Sequence, residues 1–122
     1  MKKILIVDDQ RGIRLLLDEI FKKEGVKTYL ASNGQEALQL LEKAKMDCVL
    51  LDMKLPGMDG RELLKRMKTL YPDMPVFMMT AYEEIGQENG FGADHYFTKP
   101  FNVLELKNTV LEWLNRNNVL SD

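Results

Sequence analysis

Five short apolar runs, spaced along 122 residues, leave this chain few folds to choose from. They are Ile4 to Val7, Val26 to Ala31, Cys48 to Leu51, Val76 to Met79 and Tyr96-Phe97. The first and third are almost continuous in branched aliphatic residues, as strands buried on both faces are. Between runs the apolar period becomes that of a helix. Ile13, Leu16, Leu17, Ile20 and Phe21 recur at i, i+3, i+4, i+7 and i+8, while Arg14, Asp18, Lys22 and Lys23 fall off the stripe, and Gly25 supplies a C-terminal stop. Asn33-Gly34 opens a second helix with Ala37, Leu38, Leu41 and Ala44 inward. Asp59 caps a third carrying Leu63, Leu64 and Met67, which Pro72 and Pro75 end; Asn102 caps the last, with Val103, Leu106, Val110, Trp113 and Leu114 on one side.

Strict β-α alternation with short connections predicts a parallel sheet covered by helices on both faces. Five strands fit an open doubly wound sheet better than a barrel, which needs about eight units. The length supports a single domain, residues 1–122, with no linker, repeat or attached output domain expected. The weak unit is the fourth helix: residues 83–92 contain Gly86, Gly90 and Gly92, each unfavourable by about 1 kcal/mol in a helix interior. With 17 basic against 19 acidic side chains the net charge is −2, which argues against a nucleic-acid partner. One Cys excludes an intrachain disulfide framework, and no apolar stretch reaches membrane-spanning or signal-peptide length, so a cytoplasmic domain with no membrane partner is expected.

Polar residues stand directly after four of the five runs: Asp8-Asp9, Asp52, Thr80 and Thr98-Lys99. In a parallel sheet all C-terminal strand ends lie on one edge, where the ligand sites of open α/β sheets form. Three carboxylates, a hydroxyl and an ammonium therefore converge. Clustered carboxylates repel unless a cation sits among them, and an all-oxygen site with room for water suits Mg2+. Cys48 lies inside a strand and His95 has no partner, so softer metals lack ligands. A carboxylate beside Mg2+, with an ammonium and a hydroxyl at hand, has the parts needed to accept a phosphoryl group.

The ordered set ILIVDDQ, VLLDMKLPGMDG, MMTAY and YFTKPF resembles the receiver domain of bacterial response regulators over essentially the whole chain. The resemblance implies a flavodoxin-like (βα)5 fold with strand order 2-1-3-4-5. It also implies Asp52 as phosphoacceptor, with Asp9, Asp52 and the Lys54 backbone carbonyl binding Mg2+ directly and Asp8 acting largely through a bound water. Lys99 would pair with the phosphoryl group, Thr80 would hydrogen-bond it, Tyr96 would occupy the aromatic switch position, and the Lys99-Pro100 bond would be cis. Within the family, DDQRGIR, LLDMKLPGMDG and TKPF are most similar to single-domain phosphorelay intermediates of sporulation initiation. Such proteins take the phosphoryl group from a sensor histidine kinase and pass it to a histidine phosphotransferase. Their docking surface maps here to Gln10, Gly12, Ile13, Tyr82, Pro100 and Phe101. Leu15 joins that set independently, because it lies roughly 140° from the centre of the buried stripe at about 100° per residue.

Two departures stand out. The stretch from Thr80 to Gly92 is shorter than in typical relatives by about one helical turn, so the fourth helix is expected to be short, distorted or absent, and the chain a monomer or a dimer rearranged around that segment. The switch position holds Tyr96 where the sporulation intermediate has His. The alternative to a relay is a diffusible single-domain regulator that binds a target protein when phosphorylated, without onward transfer. A flavin module on the same fold is disfavoured, since the acidic DDQ after the first strand would repel its phosphate. Alone, Gly57 and Gly60 read as turn residues, the eight Met as core filler, and the charges of the first helix as a solvated face.

Overall fold

The computed structural model describes residues 1–81 and 92–121, with side chains through Arg116. In chain order the elements are β1 (Lys3–Val7), α1 (Arg11–Lys22), β2 (Lys27–Ala31), α2 (Gly34–Lys43), β3 (Cys48–Asp52), α3 (Gly60–Leu70), β4 (Val76–Ala81), β5 (His95–Lys99) and α4 (Val103–Ser121). The five strands are all parallel, in the order β2-β1-β3-β4-β5. Every expected strand is present: β2 starts one residue later than its run, at Lys27, and the other four extend past theirs, by Lys3, by Asp52, by Thr80-Ala81, and by His95 with Thr98-Lys99.

Strand parity divides the core in two. Ile4, Ile6, Cys48, Leu50, Phe77, Met79 and Phe97 pack with Leu17 and Phe21 of α1 and Leu106, Val110 and Leu114 of α4. Their strand neighbours Leu5, Val7, Val49, Leu51, Val76 and Met78 pack on the other face with Ala37 and Leu41 of α2 and Leu63, Leu64 and Met67 of α3. All five residues of β3 are buried, which explains its continuous apolar run. Burial pushes the Cys48 thiol well above its ordinary range, with Asp47 adding to the effect, so it is a core group and not a nucleophile.

The helix boundaries follow the expected signals. Asn33 Oδ1 accepts from the Glu36 N–H at 2.9 Å, while Glu36 reaches back to the Ser32 N–H at 2.7 Å, which closes a reciprocal cap. Asp59 and Asn102 cap α3 and α4. After α1, Gly25 at φ 79° allows its own N–H to reach the Lys22 carbonyl and the Val26 N–H to reach that of Phe21, a Schellman stop.

Two expectations for α1 are corrected. Leu16 is 40% exposed beside Leu15 at 48%, so the buried stripe is narrower than the sequence period suggests. Ile13, Leu17 and Phe21 already fill the groove against β1 and the C-terminal helix. Nor is the polar face wholly solvated: Arg14 is half-buried, and Asp18 accepts the Thr28 hydroxyl while pairing with Lys22. The expected fourth helix falls outside the described residues, except for Gly92 at φ 92°.

Candidate functional site

Parity also decides which strand-end groups meet. Asp8 continues the series Ile4, Ile6; Asp52 follows Leu50; Lys99 follows Phe97. All three therefore face the side of the sheet covered by α1 and α4. There Lys99 Nζ lies 3.2 Å from Asp52 Oδ1 and 3.4 Å from Asp8 Oδ2, an ammonium bridging two buried carboxylates. Oxygens of Asp8, Asp9 and Asp52 lie within 4.8 Å of one another. Asp9, beyond the end of β1, is exposed.

The backbone holds these groups in place. The Gln10 N–H donates to Asp8 Oδ1 at 2.9 Å, and the Lys54 N–H donates to Asp52 Oδ1 at 3.3 Å. Arg14 Nη1 donates to the Asp8 carbonyl at 2.8 Å, tying α1 to the end of β1. Burial raises the Asp52 carboxyl above its ordinary value, and the Asp8 charge raises it further; Lys99 and the Lys54 N–H pull the other way. Asp52 is thus a buried carboxylate short of positive charge. Within this group of described residues, three carboxylates meet the Lys99 ammonium and leave an excess that a divalent cation would neutralise. The donors are all oxygen, one of them open to solvent, and the adjoining cavity of about 360 Å³ has room for retained water. The residues fit Mg2+.

That cavity is lined by Asp9, Gln10, Asp52, Met53, Lys54, Thr80, Ala81 and Lys99. Thr80 belongs to the opposite parity, with Val76 and Met78, and is buried; its hydroxyl donates to the Met53 sulfur at 2.9 Å. Tyr96 is half-buried, packs against the α2/α3 side of the core, and accepts the Ala93 N–H on its hydroxyl at 3.3 Å. The Lys99-Pro100 peptide is cis. Pro100, Phe101 and Tyr96 share a neighbouring cavity of about 270 Å³, with Phe101 half-buried and Pro100 exposed. Gln10, Gly12 and Leu15 are exposed on and before α1, and Ile13 is half-buried. Tyr82 lies outside the described residues.

Three participants went unnoticed in the sequence. Arg14 and Met53 carry no local signal, since each acts on a group that only the tertiary fold brings near. Gly60 reads as a turn glycine, but it is the first residue of α3, and its role is close approach: a Cβ there would stand 2.4 Å from the Met53 carbonyl oxygen. Gly57, at φ 80°, is the true turn residue.

The geometry agrees with similarity to known proteins. The family model described as response regulator receiver domain matches residues 4–111. Sporulation initiation phosphotransferase F of Bacillus subtilis (strain 168) is 51% identical over 116 residues, which cover 93% of this chain and 94% of that protein. Among solved structures, a CheY-like receiver domain protein from Methanospirillum hungatei JF-1 matches with TM-score 0.87 at 35% identity, covering 97% of each chain. The response regulator protein TrrA of Thermotoga maritima, solved in complex with Mg(2+)-BeF, matches with TM-score 0.84 at 37% identity, covering 93% of this chain and 99% of that one. A parallel 2-1-3-4-5 sheet with its acids, hydroxyl and lysine at one edge, matched along nearly its whole length, belongs to the family of response regulator receiver domains.

Proposed function

We propose that this protein is a phosphorelay response regulator of sporulation initiation: Asp52 accepts a phosphoryl group from the phosphohistidine of a sensor kinase and yields it to a histidine phosphotransferase. The observation that carries this reading is the Lys99 ammonium bridging Asp8 and Asp52, with Lys99 and Asp52 lining the acidic cavity, in a chain 51% identical to a sporulation phosphotransferase. No helix among the described residues is long and apolar enough to cross a membrane.

The steps follow from the groups present. The Asp52 carboxylate attacks phosphorus; a new O–P bond forms as the P–N bond to the donor imidazole breaks, and the bonding pair returns to the ring nitrogen. Asp8, Asp9, Asp52 and the Lys54 carbonyl are the groups that would hold Mg2+, which supplies charge stabilisation for the phosphoryl oxygens. Lys99 leaves its carboxylate partners for a phosphoryl oxygen, and Thr80 donates its hydroxyl to another. Onward transfer runs the same steps in reverse with a second imidazole as nucleophile. The protein is therefore a phosphotransferase in a limited sense, carrying the group on its own side chain.

Intact mass after incubation with acetyl phosphate tests the chemistry. One added phosphoryl group that requires Mg2+ is expected, followed by its loss to an added histidine phosphotransferase. A phosphorylated protein that does not pass the group on would identify a diffusible regulator instead. Beryllofluoride binding serves as the stable counterpart if self-hydrolysis is fast.

Docking is carried by α1. Leu15 and Leu16 stand exposed at adjacent positions of α1, an apolar pair suited to a partner helix. Leu15→Lys is expected to slow transfer from the cognate kinase by about tenfold, as loss of one good interface contact does. Uptake from acetyl phosphate is expected to stay normal. Equal loss with both donors would point to a damaged fold and remove Leu15 from the interface.

A further inference from the structure

The Thr80 hydroxyl has one proton, and it is directed at sulfur. Met53 follows Asp52 directly and shares the parity of Val49 and Leu51, so its side chain turns to the α2/α3 face, where Thr80 lies. Both residues are buried. The backbone of Met53 is held from two sides: its N–H donates to the Met79 carbonyl at 3.0 Å, and its carbonyl accepts the Gly60 N–H at 2.9 Å. Among the described residues, the other acceptor near the Thr80 hydroxyl is the Ala81 carbonyl, at a long 3.5 Å. A thioether is a weak acceptor, whereas a phosphoryl oxygen takes a charge-assisted hydrogen bond roughly twice as strong as a neutral one. The sulfur contact is thus firm enough to orient the hydroxyl in the resting protein and weak enough to give way.

Taking Asp52 as the phosphoacceptor, as above, we propose that Met53 is a positioning residue for phosphoryl transfer: its sulfur holds the Thr80 hydroxyl proton in the resting state and releases it when a phosphoryl oxygen arrives. Met53 thereby sets how readily Thr80 engages, and so the balance between the resting and phosphorylated states.

Two substitutions move the balance in opposite directions. Met53→Leu keeps volume and apolarity but removes the acceptor; it is expected to raise the rate of acetyl phosphate uptake and the affinity for beryllofluoride by about two- to tenfold, the range of one modest hydrogen bond. Met53→Gln offers a stronger acceptor and is expected to lower both. A residue that only fills space would lower them in either case. In a Thr80→Val background Met53→Leu is expected to change nothing, because the hydroxyl it acts through is gone. The proposal is overturned if Met53→Leu leaves uptake unchanged or slower while Thr80→Val slows it. Failure of the wild type to take up phosphoryl or beryllofluoride would overturn the phosphoacceptor reading itself. Should the Met53 variants not fold, the 13C-methyl resonance of Met53 decides. It is expected to shift in Thr80→Val relative to wild type, and to move in the wild type on beryllofluoride binding; a resonance unchanged by both would refute the contact.

Discussion

Asp52→Asn is expected to abolish phosphoryl uptake and, without divalent metal, to raise the melting temperature at neutral pH. The first effect is complete because the amide is no nucleophile toward phosphorus, and among the described residues no other carboxylate combines burial with a lysine at 3.2 Å and open access to the cavity. The second follows from the raised pKa. Burial, then the Asp8 charge, makes the folded protein bind a proton at Asp52 more tightly than the unfolded chain does. Folding stability therefore falls as pH rises through the window between the unfolded value of 3.8 and the higher folded one, and the full penalty applies above that window. Asn removes the penalty while Lys99 keeps Asp8 as partner at 3.4 Å. The gain is expected to show as a rise of a few degrees in melting temperature for a domain of this size. It should shrink as pH falls through the folded pKa and vanish below the unfolded one. Mg2+ should stabilise the wild type more than the variant and narrow or reverse the order. Thermal melts at several pH values, with and without Mg2+, check the sign. A variant less stable than wild type at pH 7 without metal would show that Lys99 outweighs burial and Asp8 together.

Gly60→Ala is expected to cost about 3 kcal/mol and to lower the melting temperature by about 10–15 °C. The added carbon would meet backbone, not a yielding side chain: the oxygen, Cα and carbonyl carbon of Met53 at 2.4, 2.6 and 2.7 Å. Either α3 must back away from the sheet, opening the packing of Leu63, Leu64 and Met67, or the turn after Asp52 must shift and carry Lys54 with it. Both damage the site, so phosphoryl uptake should fall as well. Gly12→Ala is the control. Nothing lies within 4 Å of a Cβ at Gly12, which sits in the exposed first turn of α1, and alanine there should be neutral or stabilising by up to about 1 kcal/mol. Similar losses at both positions would mean that close approach is not what reserves position 60 for glycine.

The strands, the caps and the meeting of Asp8, Asp52 and Lys99 were legible in the sequence because each depends on a short-range rule: alternation along a strand, a side-chain oxygen before a helix, a polar residue where an apolar run ends. Parallel pairing then converts three distant strand ends into one edge. The remaining features depend on distances that no local pattern encodes. Leu16 belongs to the apolar stripe by periodicity, yet it is exposed because its neighbours already fill the available groove. Arg14 looks like one more surface cation until the end of β1 presents a carbonyl to it. The Asp94 clasp, in which one carboxylate oxygen takes both the Val76 N–H and the Lys68 ammonium, joins residues 18 and 26 positions apart. The Met53-Thr80 contact spans 27. In each case the partner is selected by the sheet, after the elements have formed.

The strand order has a consequence for how the molecule comes apart. Asp8 directly follows β1, and Asp52 and Thr80 stand on β3 and β4, strands each paired on both sides, while Lys99 ends β5, which is paired on one side among the described residues. Local opening is easiest at margins and hardest in the middle. Fraying of β5 therefore withdraws the cation while the acids keep their places, and the opposite order of events would require most of the sheet to melt first. The transient species is a bare, preformed acidic cup, a form with more appetite for a divalent ion than the closed one. Opening at the rim is thus expected to favour loading, and the part of the site that must not drift is expected to be the last lost.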